Sequence, residues 1–201
     1  DLIRAEWVPG TQDIYTNFSL YFDGSDVGLT TAGERIDAVY VLEVRDTPAA
    51  YSCARMALIS TVGAYRVPDG AGGWLSGGGE DVLAFCGSRF GADTAGTWFP
   101  YHDGSAEGLP RNALIALAHE ETRKGFDRFN FLTQGAFAAD RANGSHSEVF
   151  EYLGHNGQYR VPLFSFPDRA GTTDRIDSFH IYYRTGPGVP PTSTPPPYPY
   201  P

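Results

Sequence analysis

Asp23, Ser25 and Asp26 sit within the nonamer YFDGSDVGL (21–29), and carry the oxygen ligands of which calcium takes six to eight. Joined by a carboxylate from Glu80 or Asp81, they form a candidate calcium site. The same letters also build a corner with no ion in it. Glycine accepts positive φ, while Asp and Ser side chains bond nearby backbone N–H groups. A second nonamer, YHDGSAEGL (101–109), favours the corner. It keeps Asp103 and Ser105 but has Ala106 in place of Asp26, and it offers Glu107 one position late. The nonamer is therefore read chiefly as a turn, with calcium as the candidate ligand.

Other chemistry is thinner. His119-Glu120-Glu121-Thr122-Arg123 begins like a zinc HExxH motif, but Arg123 stands where the second ligand should be. On a strand, His119 and Glu121 would share a face, and the segment reads as a solvated strand end. His102, His146, His155 and His180 are dispersed, and spacing assembles no nucleophile–base set. Cys53 and Cys86 lack CxxC spacing and are expected to form a disulfide in an exported protein. Trp74 lies in the glycine-rich stretch GAGGWLSGGG, read as a mobile loop that the second copy lacks. Its ring could stack on a sugar or on a neighbouring subunit, or fold back over the core. Asn17-Phe18-Ser19 and Asn143-Gly144-Ser145 are glycosylation acceptor triplets.

The elements that must hold these residues come from repetition. After the nonamers, DAVYVL (37–42) answers to NALIAL (112–117), STVGAY (60–65) to LTQGAF (132–137), and EDVLAF (80–85) to SEVFEY (147–152). The offsets are 80, 75, 72 and 67, falling steadily as shorter loops in the second copy would require. A partial third copy, DRIDSFHI (174–181), echoes ERIDAVYV (34–41). YRVP recurs at 65–68 and 159–162 outside this order and is read as coincidence. Alone, 112–124 has a helical composition, but its counterpart is β-branched and aromatic, so 113–118 is expected to be a strand.

The expected fold is all-β: an antiparallel β-sandwich or propeller-like stack built from two and a partial copies of a four-stranded unit, with 9 to 12 short strands in all. Residues 1–186 form one domain, with repeats at about 18–98, 99–153 and, in part, 154–186. Residues 187–201 form a proline-rich extended tail with Ser and Thr among the prolines, a setting for O-glycans or for an aromatic groove on a partner.

These words resemble a repeat of large exported bacterial surface proteins. That repeat runs FDGSDVGL, an IDA-type strand, LST-G, GEDV-F and TAGTW before the next FDGSDVGL. Here GGGEDVLAF (77–85) and TAGTW (94–98) stand in those places, and the second copy departs at Ala106 and Glu148. The resemblance implies a secreted or cell-surface protein and no particular reaction.

Bulk properties agree with this compartment. The net charge of -9 would repel a nucleic-acid backbone, and no apolar run nears the roughly 20 residues of a membrane span. A chain starting at Asp1, with Met56 its only methionine, reads as mature or excised. The expectation is a non-enzymatic extracellular structural or adhesive module, a subunit of a surface fibre or sheath. It would self-assemble through edge strands or a flexible N-terminal segment. The alternatives are a carbohydrate- or calcium-binding module and a secreted glycan-acting enzyme.

Overall fold

The computed structural model describes residues 1–10, 14–42, 53, 55–109, 113–121, 127–139, 142–144, 148–153 and 158–165. The third-copy segment 174–181 and the tail 187–201 lie outside the described residues. The fold is all-β, with fourteen strands in antiparallel sheets, no closed barrel and no α-helix among the described residues.

The chain opens with a hairpin of β1 (Leu2–Trp7) and β2 (Tyr15–Phe22). The N-terminal segment is thus a paired strand, not the flexible arm expected. Next come β3 (Ile36–Leu42) and β4 (Met56–Thr61), the hairpin β5 (Tyr65–Pro68) with β6 (Trp74–Gly77), and then β7 (Val82–Arg89) and β8 (Ala95–His102). The first large sheet has the order β3-β4-β7-β8. After it follow β9 (Leu114–Glu121), β10 (Asp127–Thr133), the hairpin β11 (Phe137–Ala139) with β12 (Ala142–Gly144), β13 (Glu148–Leu153) and β14 (Gln158–Ser165). The second large sheet has the order β9-β10-β13-β14. Both sheets have the same connectivity, with a small hairpin between their second and third strands.

The strand β9 forms despite its Ala, Leu and Glu content because both of its faces are covered. Leu114 and Leu117 enter the core between the large sheets, while Ile115 and Ala116 join Leu132 and Val149 behind the second sheet. Tertiary burial here overrides helix propensity. Leu58, Val82 and Ala84 of the first sheet meet Leu117, Phe129, Phe131 and Phe150 of the second. On the other face of the first sheet, Ala57, Ile59, Leu83, Phe85 and Trp98 pack with Phe22 and Val27. Every residue of β4 is buried, and Met56–Ile59 reads as an unbroken apolar run rather than an alternating one.

That double burial hid the register. The sequence equates Asp37 with Asn112, but the ladders equate Ile36 with Leu114. Thr61 and Thr133 each donate a hydroxyl bond to a glycine carbonyl two residues on, Gly63 and Gly135, at 2.7 Å. Thr61 pairs with Ile36, and Thr133 with Leu114. Val62 N–H bonds the Arg35 carbonyl as Gln134 N–H bonds that of Ala113, both at 2.9 Å. A one-sided strand would have fixed its register through alternation; two apolar faces cannot.

Candidate functional site

The corners that follow β2 and β8 hold most of the residues singled out above. In the first, Asp23 Oδ1 accepts the Ser25 N–H at 3.0 Å and the Ser25 hydroxyl at 2.6 Å. The hydroxyl contact is the main reason the Asp23 carboxyl sits below its usual range. Asp26 Oδ2 accepts the Thr94 N–H at 2.9 Å, and Thr94 Oγ1 accepts the Asp23 N–H at 2.8 Å. Leu29 N–H closes the turn on the Gly24 carbonyl at 2.8 Å. Gly28 has φ 100°, a backbone conformation that only glycine adopts at little cost.

The second corner repeats this plan with other partners. Asp103 Oδ1 accepts the Ala106 N–H at 2.9 Å and the Ser105 hydroxyl at 2.8 Å, and these two bonds, in that order, lower its pKa. Leu109 N–H closes on the Gly104 carbonyl at 2.7 Å. A Cβ on Gly104 would collide with the Glu80 carbonyl oxygen, so close backbone approach dictates glycine here.

Asp81 and Glu80 do not join Asp23, Ser25 and Asp26. Asp81 is buried beneath the second corner, where its Oδ1 accepts the Gly104 N–H at 2.9 Å. Its Oδ2 accepts the Gly78 N–H at 2.9 Å and the Tyr65 hydroxyl at 3.2 Å. Burial, then the Asp81 charge, pushes the Tyr65 hydroxyl pKa up. At the first corner the equivalent bond comes from Asp1, whose Oδ1 accepts the Gly24 N–H at 3.0 Å. Sequence reasoning missed Asp1. The signal was present: Asp1-Leu2 precedes Asp81-Val82 by the same eighty residues that separate the nonamers. Among the described residues, no group of three or more His, Cys, Asp or Glu side chains could hold a metal ion.

The remaining residues fall elsewhere. Cys53 and Cys86 form a disulfide with Cα atoms 5.4 Å apart. Trp74 is on strand β6, opposite Pro68, and not on a mobile loop. The residue is 57% exposed, and its ring lies 4.4 Å beneath the Arg66 guanidinium, a cation–π contact. The second sheet has a hairpin in the same place, contrary to expectation, but no tryptophan in it. His119 is buried beside the rings of Tyr40 and Tyr101, not at a solvated strand end. His102 is buried against Tyr152 and Phe129, and burial, partly opposed by Asp103, pushes its pKa down to about 4. Asn17 is exposed at φ 52°, and its Nδ2 donates to Glu6 Oε2 at 2.8 Å. Asn143 lies in β12, and Ser145 of its triplet lies outside the described residues.

The eighty-residue offset extends into the part of the hairpin next to each corner. Leu2 pairs with Phe22, Ile3 with Leu20 and Arg4 with Ser19; Val82 pairs with His102, Leu83 with Pro100 and Ala84 with Phe99. These three pairs match one for one, including the bulge after the first; beyond them the registers part, with the second bulge after Arg4, on β2, in one hairpin and after Gly87, on β7, in the other. The surroundings of this shared stretch differ. Leu83 and Trp98 are each 1% exposed, while Ile3 and Phe18 at the matching positions are 62% and 68% exposed. Comparison of the chain with protein-family models, with curated proteins and with solved structures finds no match.

Proposed function

We propose that this chain is a non-enzymatic extracellular structural module, built from copies of one layer and assembling as a subunit of a surface fibre or sheath. The observation that carries this reading is the N-terminal hairpin. Next to its corner it has the pairing of β7–β8, yet the positions matching the buried Leu83 and Trp98 are open to water at Ile3 and Phe18. Contiguous exposed apolar side chains mark an interaction surface. The corner carboxylates support a structural role, since Asp23, Asp26, Asp81 and Asp103 all accept backbone N–H groups. The Cys53–Cys86 disulfide is compatible with an oxidising, extracellular compartment. No helix among the described residues is long and apolar enough to cross a membrane.

Static light scattering and negative-stain electron microscopy across a concentration series test this reading. Particle mass should grow with concentration; monomers at every concentration would count against assembly. The carbohydrate-binding alternative draws on the exposed Trp74 ring, held in place by Arg66. A glycan array with the protein and its Trp74→Ala variant tests it, and binding that Trp74→Ala abolishes would favour it.

A further inference from the structure

We propose that two copies of this chain pair through the open edges of β1, antiparallel and centred on Ala5, giving one continuous sheet in the order β2-β1-β1-β2. The inference rests on the assembly reading above and names its partner and register. Among the described residues, β1 has β2 as its sole strand neighbour, whereas β7 at the matching place is flanked by both β4 and β8. Val8 N–H bonds the Ile14 carbonyl at 2.9 Å, so Val8 turns its backbone groups toward β2. Alternation along a strand then turns the N–H and C=O of Ile3 and Ala5 to the open edge. Both bulges of the hairpin fall on β2, leaving β1 a regular template.

The sequence of β1 is complementary to itself about Ala5. In the centred register Arg4 of one copy faces Glu6 of the other, and the two-fold axis repeats the pair. Arg4 and Glu6 are exposed; within one chain they meet at 3.4 Å, and Glu6 Oε2 also accepts the Asn17 Nδ2 bond at 2.8 Å, which leaves its other oxygen toward Arg4. Because Ala5 would exchange hydrogen bonds with its symmetry mate, Arg4 and Glu6 would occupy the intervening non-hydrogen-bonded positions, where side chains lie closest. Ile3 of each copy then meets Trp7 of the other on the opposite face, covering two residues that are 62% and 54% exposed. The product has four strands, as each large sheet in the molecule does.

Sedimentation equilibrium of the whole chain tests the inference. Wild type should form a dimer through this edge. Arg4→Glu and Glu6→Arg should each weaken self-association by about tenfold or more, because every cross-strand pair becomes like-charged. An equimolar mixture of the two variants should associate as well as wild type does. Ala5→Pro, which removes an outward N–H that the hairpin does not use, should abolish the dimer and leave the fold's circular dichroism unchanged. If wild type associates but the charge variants associate equally well, this register is wrong and the broader assembly reading survives. If wild type stays monomeric throughout, both are wrong.

Discussion

The β1–β2 and β7–β8 hairpins are two solutions to the same backbone problem with different surroundings. Their first pairs match residue for residue, and each ends in a corner whose glycine N–H is held by an aspartate, Asp1 or Asp81. Phe22 and His102 occupy the same place, one against Phe85 and the other against Tyr152. Yet one hairpin lies within a sheet covered on both sides, and the other presents Ile3 and Phe18 to solvent. Pairing geometry and the corner are thus specified locally, through a few polar contacts. Burial is specified by which layers lie alongside, and that is not a property of the hairpin.

The largest expected contrast comes from matched truncations. Trp98→Ala should cost about 3–5 kcal/mol in urea unfolding, since it empties a core position and removes the bond from Trp98 Nε1 to the Val27 carbonyl. Phe18→Ala, its counterpart, should stay within about 0.5 kcal/mol of wild type under dilute conditions. Equal costs would mean that the hairpin is covered in solution.

His102 gives the next contrast. Its pKa in the folded protein lies below the ordinary histidine value, so the unfolded chain binds the proton first. The stabilisation is present above the ordinary value of about 6.5 and is lost as pH falls toward about 4, amounting to about 3 kcal/mol at most. His102→Phe installs the residue that the first corner already has, and should flatten this part of the profile of melting temperature against pH.

Asp81→Ala should cost about 2–3 kcal/mol, because the buried Gly104 N–H loses its acceptor along with Gly78 and Tyr65. Asp1→Ala loses one bond at a part-buried site and should cost about 1 kcal/mol or less. The smallest effect belongs to Asp26→Ala, which makes the first corner resemble the second and removes one bond to Thr94, for about 1 kcal/mol or less. Added calcium or chelator should leave the melting temperature of wild type and this variant unchanged; a calcium-dependent rise in wild type alone would support the metal reading of Asp23, Ser25 and Asp26.

Much of the fold was legible because the nonamers and the words after them repeat in order. That order identified β9 as a strand against its composition, and located β3, β4, β7, β10 and β13. The N-terminal hairpin escaped notice because DLIRAEW and DVLAFCG share little beyond an aspartate and an aliphatic residue, although their first three pairs match. YRVP shows the converse. Its first occurrence is the hairpin strand β5 and its second lies in β14, so an identical word fills unlike places. Of the candidate site, the corner bonds of Asp23 and Ser25 could be read locally, because a side chain and an N–H two residues apart meet in any such turn.

The sequence by itself determined that this chain is all-β and that Asp-Gly-Ser marks two equivalent corners. These follow from propensity, turn chemistry and repetition, which act over a few residues. Only the tertiary structure decided that Asp81 serves the second corner and Asp1 the first, that β3 and β9 align three residues away from their apparent match, and that Phe18 lies open where Trp98 is buried. Each of these depends on which strands lie side by side. Apolar runs that are buried on both faces carry no alternation from which that choice could be read.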